Sequence, residues 1–275
     1  MRSKVGAVFA LAQHPFRVMG GFMAQDKRGG RPLDRHRPVE VVVGFHRLAE
    51  GSVLYKCGGT VVLCTASIDE SVPKFLEGKG EGWLTAEYQM HPRCNPKRRE
   101  QRDGRNRPVG GRTKEIERLI GRSLRAAIDL KKIGERTVSI DCDVLEADGG
   151  TRTASITGGW IALALAMNKC FAAGVLSGPP LRDQVAALSV GHVDGALALD
   201  LCYAEDSSAR VDMNVVATAK GALVELQATA EGVAMPRSDM DAMVDLALLG
   251  TNSLCVIQRD ALESAGVRLE RVLKG

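Results

Sequence analysis

Apolar positions along the chain follow two periods, one typical of strands and one typical of helices. After Pro38, short runs rich in β-branched residues alternate with glycines, a pattern that favours neighbouring antiparallel strands. The predicted strands of the first half cover residues 39–45, 52–57, 60–67, 84–90 and 137–145. Those of the second half cover residues 185–193, 196–203, 211–217 and 223–229.

Three segments have the helical period. Residues 113–133 place Ile116, Leu119 and Ile120 on one face, which predicts an amphipathic helix. Residues 152–173 are apolar nearly all round and predict a buried central helix, and a third helix is expected from about residue 238 to 265. Strands grouped with strands and helices inserted singly predict an α+β fold, a mixed sheet with helices packed on its faces.

The composition excludes several classes of protein. With 275 residues, 45% hydrophobic and 25% charged, the chain is neither disordered, collagenous nor a coiled coil. No apolar run approaches the roughly 18 residues of a membrane-spanning helix, so we expect no membrane partner. Aromatic residues make up 4%, which argues against a protein that binds unstacked bases through many rings.

The seven cysteines are dispersed and form no Cys-x-x-Cys pair. In a chain of this size they predict reduced, mostly buried thiols rather than a disulfide framework or a zinc site. A reducing compartment follows, and we predict that the protein is cytoplasmic.

The first 22 residues are interpreted as an N-terminal extension, ahead of a single domain over residues 23–275. Arg2 and Lys4 precede a short apolar stretch that weakly imitates a secretory signal, and the lack of acidic residues before Asp26 is also found in transit peptides. A start at Met19 or Met23 explains the same features without targeting, and we favour it.

Positive charge is concentrated in two segments. The net charge is +4, yet residues 1–37 and residues 93–112 each carry eight Lys or Arg against two acidic residues, so the rest of the chain is acidic. A dense basic segment attracts a polyanion. The Gly and Pro content of residues 93–112 favours a nucleic-acid-binding loop about as strongly as a solvated loop that only confers solubility.

Two predicted helices begin with paired glycines. Gly110 and Gly111 precede Arg112, and Gly149 and Gly150 precede Thr151, Arg152 and Thr153. Glycines allow the backbone to approach a ligand, helix N-termini favour anions, and an arginine fork fits a phosphate. Together the two junctions predict a phosphate site, although a single one is usually only a capped turn.

Acidic residues cluster late in the chain, at Asp200, Glu205, Asp206 and Asp212. Mg²⁺ typically takes one or two carboxylates and completes its shell with water and substrate phosphates. Carboxylates beside a basic phosphate pocket are therefore the ingredients of phosphoryl transfer. The alternative is that these residues only cap turns, since the spacing is no diagnostic motif.

Five segments carry a resemblance to a known family. They are residues 82–88 (GWLTAEY), 111–122 (GRTKEIERLIGR), 140–144 (IDCDV), 147–155 (ADGGTRTAS) and 205–215 (EDSSARVDMNV). In this order they resemble the ribonuclease PH family, and the likeness extends from about residue 28 to the C-terminal helix.

The resemblance implies the ribonuclease PH fold, which is ribosomal protein S5 domain 2-like. It implies a phosphate-dependent 3′→5′ exoribonuclease that trims the 3′ ends of tRNA precursors and releases nucleoside 5′-diphosphates reversibly. Inorganic phosphate is then a co-substrate and Mg²⁺ or Mn²⁺ a cofactor. The implied assembly is a homohexamer, a trimer of dimers.

The resemblance also implies roles for residues. The implied phosphate site is Arg112, Gly150, Thr151 and Arg152, and the implied acidic pair for metal binding and acid–base assistance is Asp206 and Asp212. Arg93 and Arg98 match arginines that grip tRNA, and Arg99 or Arg102 would supply a third contact. Here the chain departs from the family pattern, because residues 91–96 (HPRCNP) replace it and the loop up to Arg112 is longer.

Two other functions were weighed. A catalytically silent, RNA-binding ring subunit of an exosome-like assembly would have lost the arginines or the acidic pair, which are all present. A metal-dependent hydrolytic nuclease would release monophosphates without phosphate, so omitting phosphate separates it from a phosphorolytic enzyme.

Overall fold

The computed structural model describes residues 27–102, 108–176 and 178–274. The predicted extension, residues 1–22, lies outside the described residues, as do residues 103–107 of the basic loop.

The first sheet has five strands in the order β1-β2-β3-β5-β4. They are β1 (Val39–Val43), β2 (Gly51–Cys57), β3 (Thr60–Asp69), β4 (Trp83–Met90) and β5 (Thr137–Glu146). Neighbours are antiparallel except β4 and β5, which are parallel, so the sheet is mixed as predicted.

The second sheet has four antiparallel strands in the order β7-β6-β8-β9. They are β6 (Val185–Val193), β7 (Ala196–Leu199), β8 (Val211–Thr218) and β9 (Leu223–Ala230). Because β8 lies between β6 and β9, its backbone is hydrogen-bonded on both sides. This matters below, since β8 carries Asp212.

Five helices accompany the sheets within the described residues. They are α1 (Gly111–Ala127), α2 (Leu130–Ile133), α3 (Thr151–Ala172), α4 (Tyr203–Asp206) and α5 (Arg237–Ser264). As predicted, α3 is the buried central helix: it contacts β2 and β3 of the first sheet and β6 of the second. Trp160 and Ile161 of α3 are fully buried in the core that joins the two sheets.

The C-terminal helix α5 packs on β6 and β8 through buried Met243, Ala247 and Leu254. Within the part of the chain that the structure describes, α5 is also the one helix long and apolar enough to cross a membrane by length and composition. Helices that pack in a protein core meet the same criterion, so length and composition alone are weak evidence for a membrane-spanning helix.

Two predicted elements end earlier than expected. The helix predicted over residues 113–133 stops at Ala127, because Ile128 is extended and bridges Leu181; Asp129 then caps the short α2. The strand predicted over residues 196–203 stops at Leu199, because Asp200 adopts a left-handed φ of 55°.

All seven cysteines are free thiols, five of them buried and two half-buried. This agrees with the expectation of reduced, mostly buried thiols.

Candidate active site

A cavity of about 240 Å³ brings most of the predicted site residues together. Seven of the ten line it: Arg98, Arg112, Gly150, Thr151, Arg152, Asp206 and Asp212. Arg93 lines a neighbouring cavity, and Arg99 and Arg102 are exposed on the loop outside this cavity. The cavity therefore unites the two predicted phosphate-binding segments with the predicted acidic pair.

Both glycine pairs stand at helix N-termini, as the sequence predicts. α1 begins at Gly111 and α3 at Thr151, and no side chain caps either helix within the described residues. The first backbone N–H groups of a helix have no partner inside it, so the amides at the start of α3 are available to an anion.

Gly149 has a left-handed φ of 74° and lies against the chain that leads into α4. A Cβ at this position would lie 2.8 Å from the carbonyl carbon of Cys202 and 2.9 Å from the nitrogen of Tyr203. Only glycine permits this approach. The loop before α3 is therefore held directly against the segment that carries Asp206.

The side chain of Arg152 is oriented from two sides. Its Nη1 donates to Glu115 at 3.3 Å and to Gln227 at 3.0 Å, and the side chain is 17% exposed. The hydroxyl of the neighbouring Thr151 lies 2.9 Å from the hydroxyl of Tyr88. These contacts position the start of α3 before any ligand binds, as a binding site for a small anion requires.

Asp212 lies on β8, opposite Gly191 on β6 and Thr229 on β9. Its Oδ1 is buried and has no hydrogen-bond partner within the described residues. Burial, together with the charge of Asp206, raises the pKa of Asp212 to about 6, although Arg152 and Arg112 act in the opposite direction. The cavity thus contains a carboxyl group poised to hold a proton or to gain a cationic partner.

Asp206 is the last residue of α4, a single helical turn. Burial raises the pKa of Asp206, and Arg112 and Arg152 oppose that rise. Burial therefore raises the pKa of both carboxyl groups, and the same two arginines oppose the rise in each case.

The side chains of this cavity can supply some, but not all, of the ligands that a divalent cation needs. Among the described residues, no group of three or more His, Cys, Asp or Glu side chains is arranged to hold a metal ion. Asp206 and Asp212 offer two carboxylates, which is the number that Mg²⁺ commonly takes when substrate phosphates supply other ligands. The unpartnered Oδ1 of Asp212 and the repulsion between the two carboxylates both favour such an ion.

Comparisons with known proteins identify the family. Two consecutive family models match the chain, domain 1 of the 3′ exoribonuclease family over residues 35–167 and domain 2 over residues 183–250. A ribonuclease PH of Mycobacterium sp. (strain KMS) is 54% identical over 239 residues, which cover 86% of this chain and 92% of that protein. The chain belongs to the 3′ exoribonuclease family. At this identity to ribonuclease PH it is a phosphorolytic 3′ exoribonuclease, a nucleotidyltransferase.

Two solved structures have the same fold. Rice Rrp46 superposes with a TM-score of 0.69 at 20% identity, covering 85% of this chain and 99% of that chain. The Archaeoglobus fulgidus exosome with RNA bound to the active site contains a chain with a TM-score of 0.67 at 20% identity, covering 86% of this chain and 92% of that chain. The predicted α+β ribonuclease PH fold is confirmed.

Sequence reasoning missed an ion pair that supports the exoribonuclease cavity. Arg37 is 6% exposed and Asp200 is 1% exposed, and Arg37 Nη2 donates to Asp200 Oδ1 at 2.8 Å. Arg37 also donates to the backbone carbonyls of Asp148 and Gly149, just before α3. Burial opposes the ionisation of Asp200, but the hydrogen bonds and charge of Arg37 hold its pKa below the ordinary value.

A second buried carboxylate, Glu205, holds α4. It accepts hydrogen bonds from Arg28 at 2.6 Å and Arg31 at 3.2 Å, and from the backbone N–H of Cys202 at 3.0 Å. Glu205 directly precedes Asp206, so these contacts fix the turn that presents Asp206 to the cavity. The cluster of acidic residues could be recognised in the sequence. Its pairing with arginines that lie 163 to 177 residues away could not be predicted.

Proposed function

We propose that this phosphorolytic exoribonuclease trims the 3′ ends of tRNA precursors and adds nucleotides back in the reverse direction. The observation that carries the proposal is the cavity itself, in which two arginines and two uncapped helix N-termini face two carboxyl groups. The reaction must bring free phosphate and the terminal phosphodiester together, and both are anions. Positive groups are therefore needed at one point to overcome their repulsion.

Inorganic phosphate binds at Arg112, Gly150, Thr151 and Arg152. The amide groups at the start of α3 and the two guanidinium groups supply the donors, and Arg152 is already oriented by Glu115 and Gln227. Holding phosphate beside the RNA end converts an encounter of two solutes into a reaction within one complex.

A phosphate oxygen attacks the phosphorus of the terminal phosphodiester. The new P–O bond forms as the bond to the 3′ oxygen of the preceding ribose breaks. The products are a nucleoside 5′-diphosphate and an RNA one nucleotide shorter with a free 3′-hydroxyl. The bond made resembles the bond broken, so the reaction runs in both directions.

Asp212 can assist in either of its ionisation states. Protonated, its carboxyl group donates a proton to the departing 3′ oxygen; ionised, it joins Asp206 in holding Mg²⁺ or Mn²⁺. A bound divalent cation would supply positive charge that offsets the negative charge of the two reacting phosphates.

The RNA tail reaches the cavity past the basic loop. Arg98 lines the cavity, and its Nε donates to Glu100 at 2.7 Å; Arg93, Arg99 and Arg102 lie outside it. These arginines bind RNA phosphates and set the affinity for the tRNA precursor. The structural neighbour described with RNA bound to its active site supports RNA binding at the cavity.

The proposal extends to the assembly and its location. The structural neighbours described as exosomes support a ring-like assembly, and we propose a homohexamer built as a trimer of dimers. The seven free thiols support a cytoplasmic location. Contacts of α3 with both sheets support a single domain over residues 23–275.

The experiment is a phosphate-omission assay. A tRNA precursor with an unpaired 3′ tail is incubated with the protein and Mg²⁺, with and without inorganic phosphate, and the products are identified. We expect nucleoside diphosphates only when phosphate is present. Monophosphates without phosphate would indicate a hydrolytic nuclease instead. Binding of the RNA without any cleavage would indicate a silent ring subunit.

A further inference from the structure

An exposed aromatic ring stands at the rim of the catalytic cavity. Tyr203 is 50% exposed and lies three residues before Asp206 on the single turn α4. Residues three apart on a helix share a face, and both side chains line the catalytic cavity. The exposed ring is thus fixed next to a residue of the proposed reaction centre.

Tyr203 also lines a second cavity of about 500 Å³. This cavity shares Asn95, Ala147 and Tyr203 with the catalytic cavity, so the two spaces adjoin across the tyrosine ring. Its other lining residues include two cations of the basic loop, Arg93 and Lys97, on one side and two acidic residues, Glu146 and Asp148, that precede α3. A chain that leaves the catalytic cavity on this side meets an aromatic ring first and the two cations of the basic loop beyond it.

The support of the ring is rigid on its backbone side. The Tyr203 N–H donates to Asp148 Oδ1 at 3.1 Å, and α4 is anchored through the buried Glu205. On the ring side, the Lys97 ammonium lies 5.8 Å from the centroid of the Tyr203 ring. The residue remains half exposed with Lys97 in this position, so ring surface is left for a ligand that interacts with a π-system.

We propose that Tyr203 is a stacking platform for one nucleobase of the RNA 3′ tail and that the second cavity is the subsite for that nucleotide. Lys97 and Arg93 bind the adjoining phosphate groups. This inference rests on the proposed function, because it names where the RNA substrate lies. Stacking on a ring face accepts any base, which suits an enzyme that removes successive nucleotides.

The test measures binding with phosphate omitted, so that no bond is broken. A short RNA with an unpaired 3′ tail is prepared intact and in four further versions, each lacking the base at one of the four terminal positions. The affinity of each RNA is measured for the full-length protein, for Tyr203→Ala and for Tyr203→Phe. Phe75→Ala is the matched control, since Phe75 is also an exposed aromatic residue, 58% exposed, and does not line either cavity.

We expect Tyr203→Ala to weaken binding of the intact RNA by on the order of 10-fold and Tyr203→Phe to restore it, since the ring face is what binds the base. One abasic position in the tail should weaken wild-type binding by a similar factor and have no further effect in Tyr203→Ala. The other abasic positions should weaken both proteins equally, and Phe75→Ala should behave as wild type.

The inference is overturned if every abasic position weakens wild type and Tyr203→Ala by the same factor, because the ring then contacts no base. It is also overturned if Tyr203→Ala loses affinity for all RNAs equally and Tyr203→Phe does not restore it, which indicates a structural or interface role. Either result leaves the proposed function standing, provided wild type binds RNA and releases diphosphates with phosphate. Failure of wild type to bind RNA at all would remove both.

Discussion

Two aspartates, the buried Asp200 and the half-buried Asp212, have opposite electrostatic environments. Asp200 accepts hydrogen bonds from the Arg37 Nε at 2.9 Å and Nη2 at 2.8 Å, and its pKa is lowered. Asp212 leaves its Oδ1 without a partner, and its pKa is raised to about 6. Asp212 lines the catalytic cavity, and Asp200 lies behind Gly150, which lines the same cavity. The protein supplies a hydrogen-bonded counter-charge only to Asp200.

This difference distinguishes carboxylates that stabilise the fold from carboxylates that are available to a substrate or a cation. Arg28, Arg31 and Arg37 are used within the structure, where they join the first described residues to Glu205 and Asp200. Arg112 and Arg152 lie close enough to Asp212 to oppose the rise of its pKa, but they do not hydrogen-bond its buried Oδ1. A carboxylate left in this state gains its counter-charge from ligands, which is how a site couples substrate binding to the ionisation of its own residues.

The largest expected effect is the loss of stability when the ion pair between Asp200 and Arg37 is removed. Asp200→Asn removes the 2.8 Å ion pair of the buried Arg37 guanidinium and leaves it only the 3.8 Å contact with the half-exposed Asp148. We expect a loss of about 3–5 kcal/mol in the free energy of unfolding. Denaturant unfolding at fixed protein concentration measures it. Glu40→Gln is the control, because Glu40 forms an exposed ion pair with Lys56 at 3.0 Å. Exposed pairs typically contribute up to about 1 kcal/mol, so losses of equal size would contradict the distinction.

The next largest effect is the loss of activity when Asp212, the aspartate without a partner at its Oδ1, is replaced. Asp212→Asn keeps the shape of the side chain but removes its proton-donating and cation-binding capacity. We expect phosphorolysis and nucleotide addition to fall together by on the order of 100-fold or more, because the two directions share one transition state. The variant should assemble and bind tRNA normally, since β6 and β9 hold the backbone of β8 on both sides. Full-rate nucleotide addition alongside lost degradation would contradict this role.

Much of the fold was predictable because the signals are local. The apolar run of residues 185–193 and the all-round apolar helix of residues 152–173 both correspond to elements whose ends differ from the prediction by at most one residue. The strand predicted over residues 196–203 failed at Asp200, whose left-handed φ accompanies its contact with Arg37. That partner lies 163 residues away and leaves no trace in the local pattern.

The candidate site also contains residues that a local motif predicts and residues that no local pattern predicts. Paired glycines followed by an arginine are a local motif, and the arginine of each instance, Arg112 and Arg152, lines the cavity. The arginines of the basic loop could not be ranked from the sequence, because an exposed loop has no periodicity to orient its side chains; only Arg98 of the four reaches the cavity. Tyr203 was hidden because the prediction placed it at the end of a strand, whereas it begins α4.

The central claim is that the charge of Asp212 is unfavourable until a ligand offsets it. The direct measurement is the free energy of unfolding of wild type and Asp212→Asn from pH 4 to pH 8, without phosphate or divalent cations. A carboxyl group whose pKa is raised on folding binds its proton more tightly in the folded state. Wild type should therefore lose stability relative to the variant as the pH rises from about 4 to about 6.

Above that range the deficit should be constant, at about 1–3 kcal/mol. Adding Mg²⁺ and phosphate at pH 8 should then stabilise wild type more than Asp212→Asn, because the variant lacks one of the two carboxylates that the cation offsets. A stability difference between the two proteins that does not change with pH, or a variant that is less stable than wild type at pH 8 without ligands, would contradict the account.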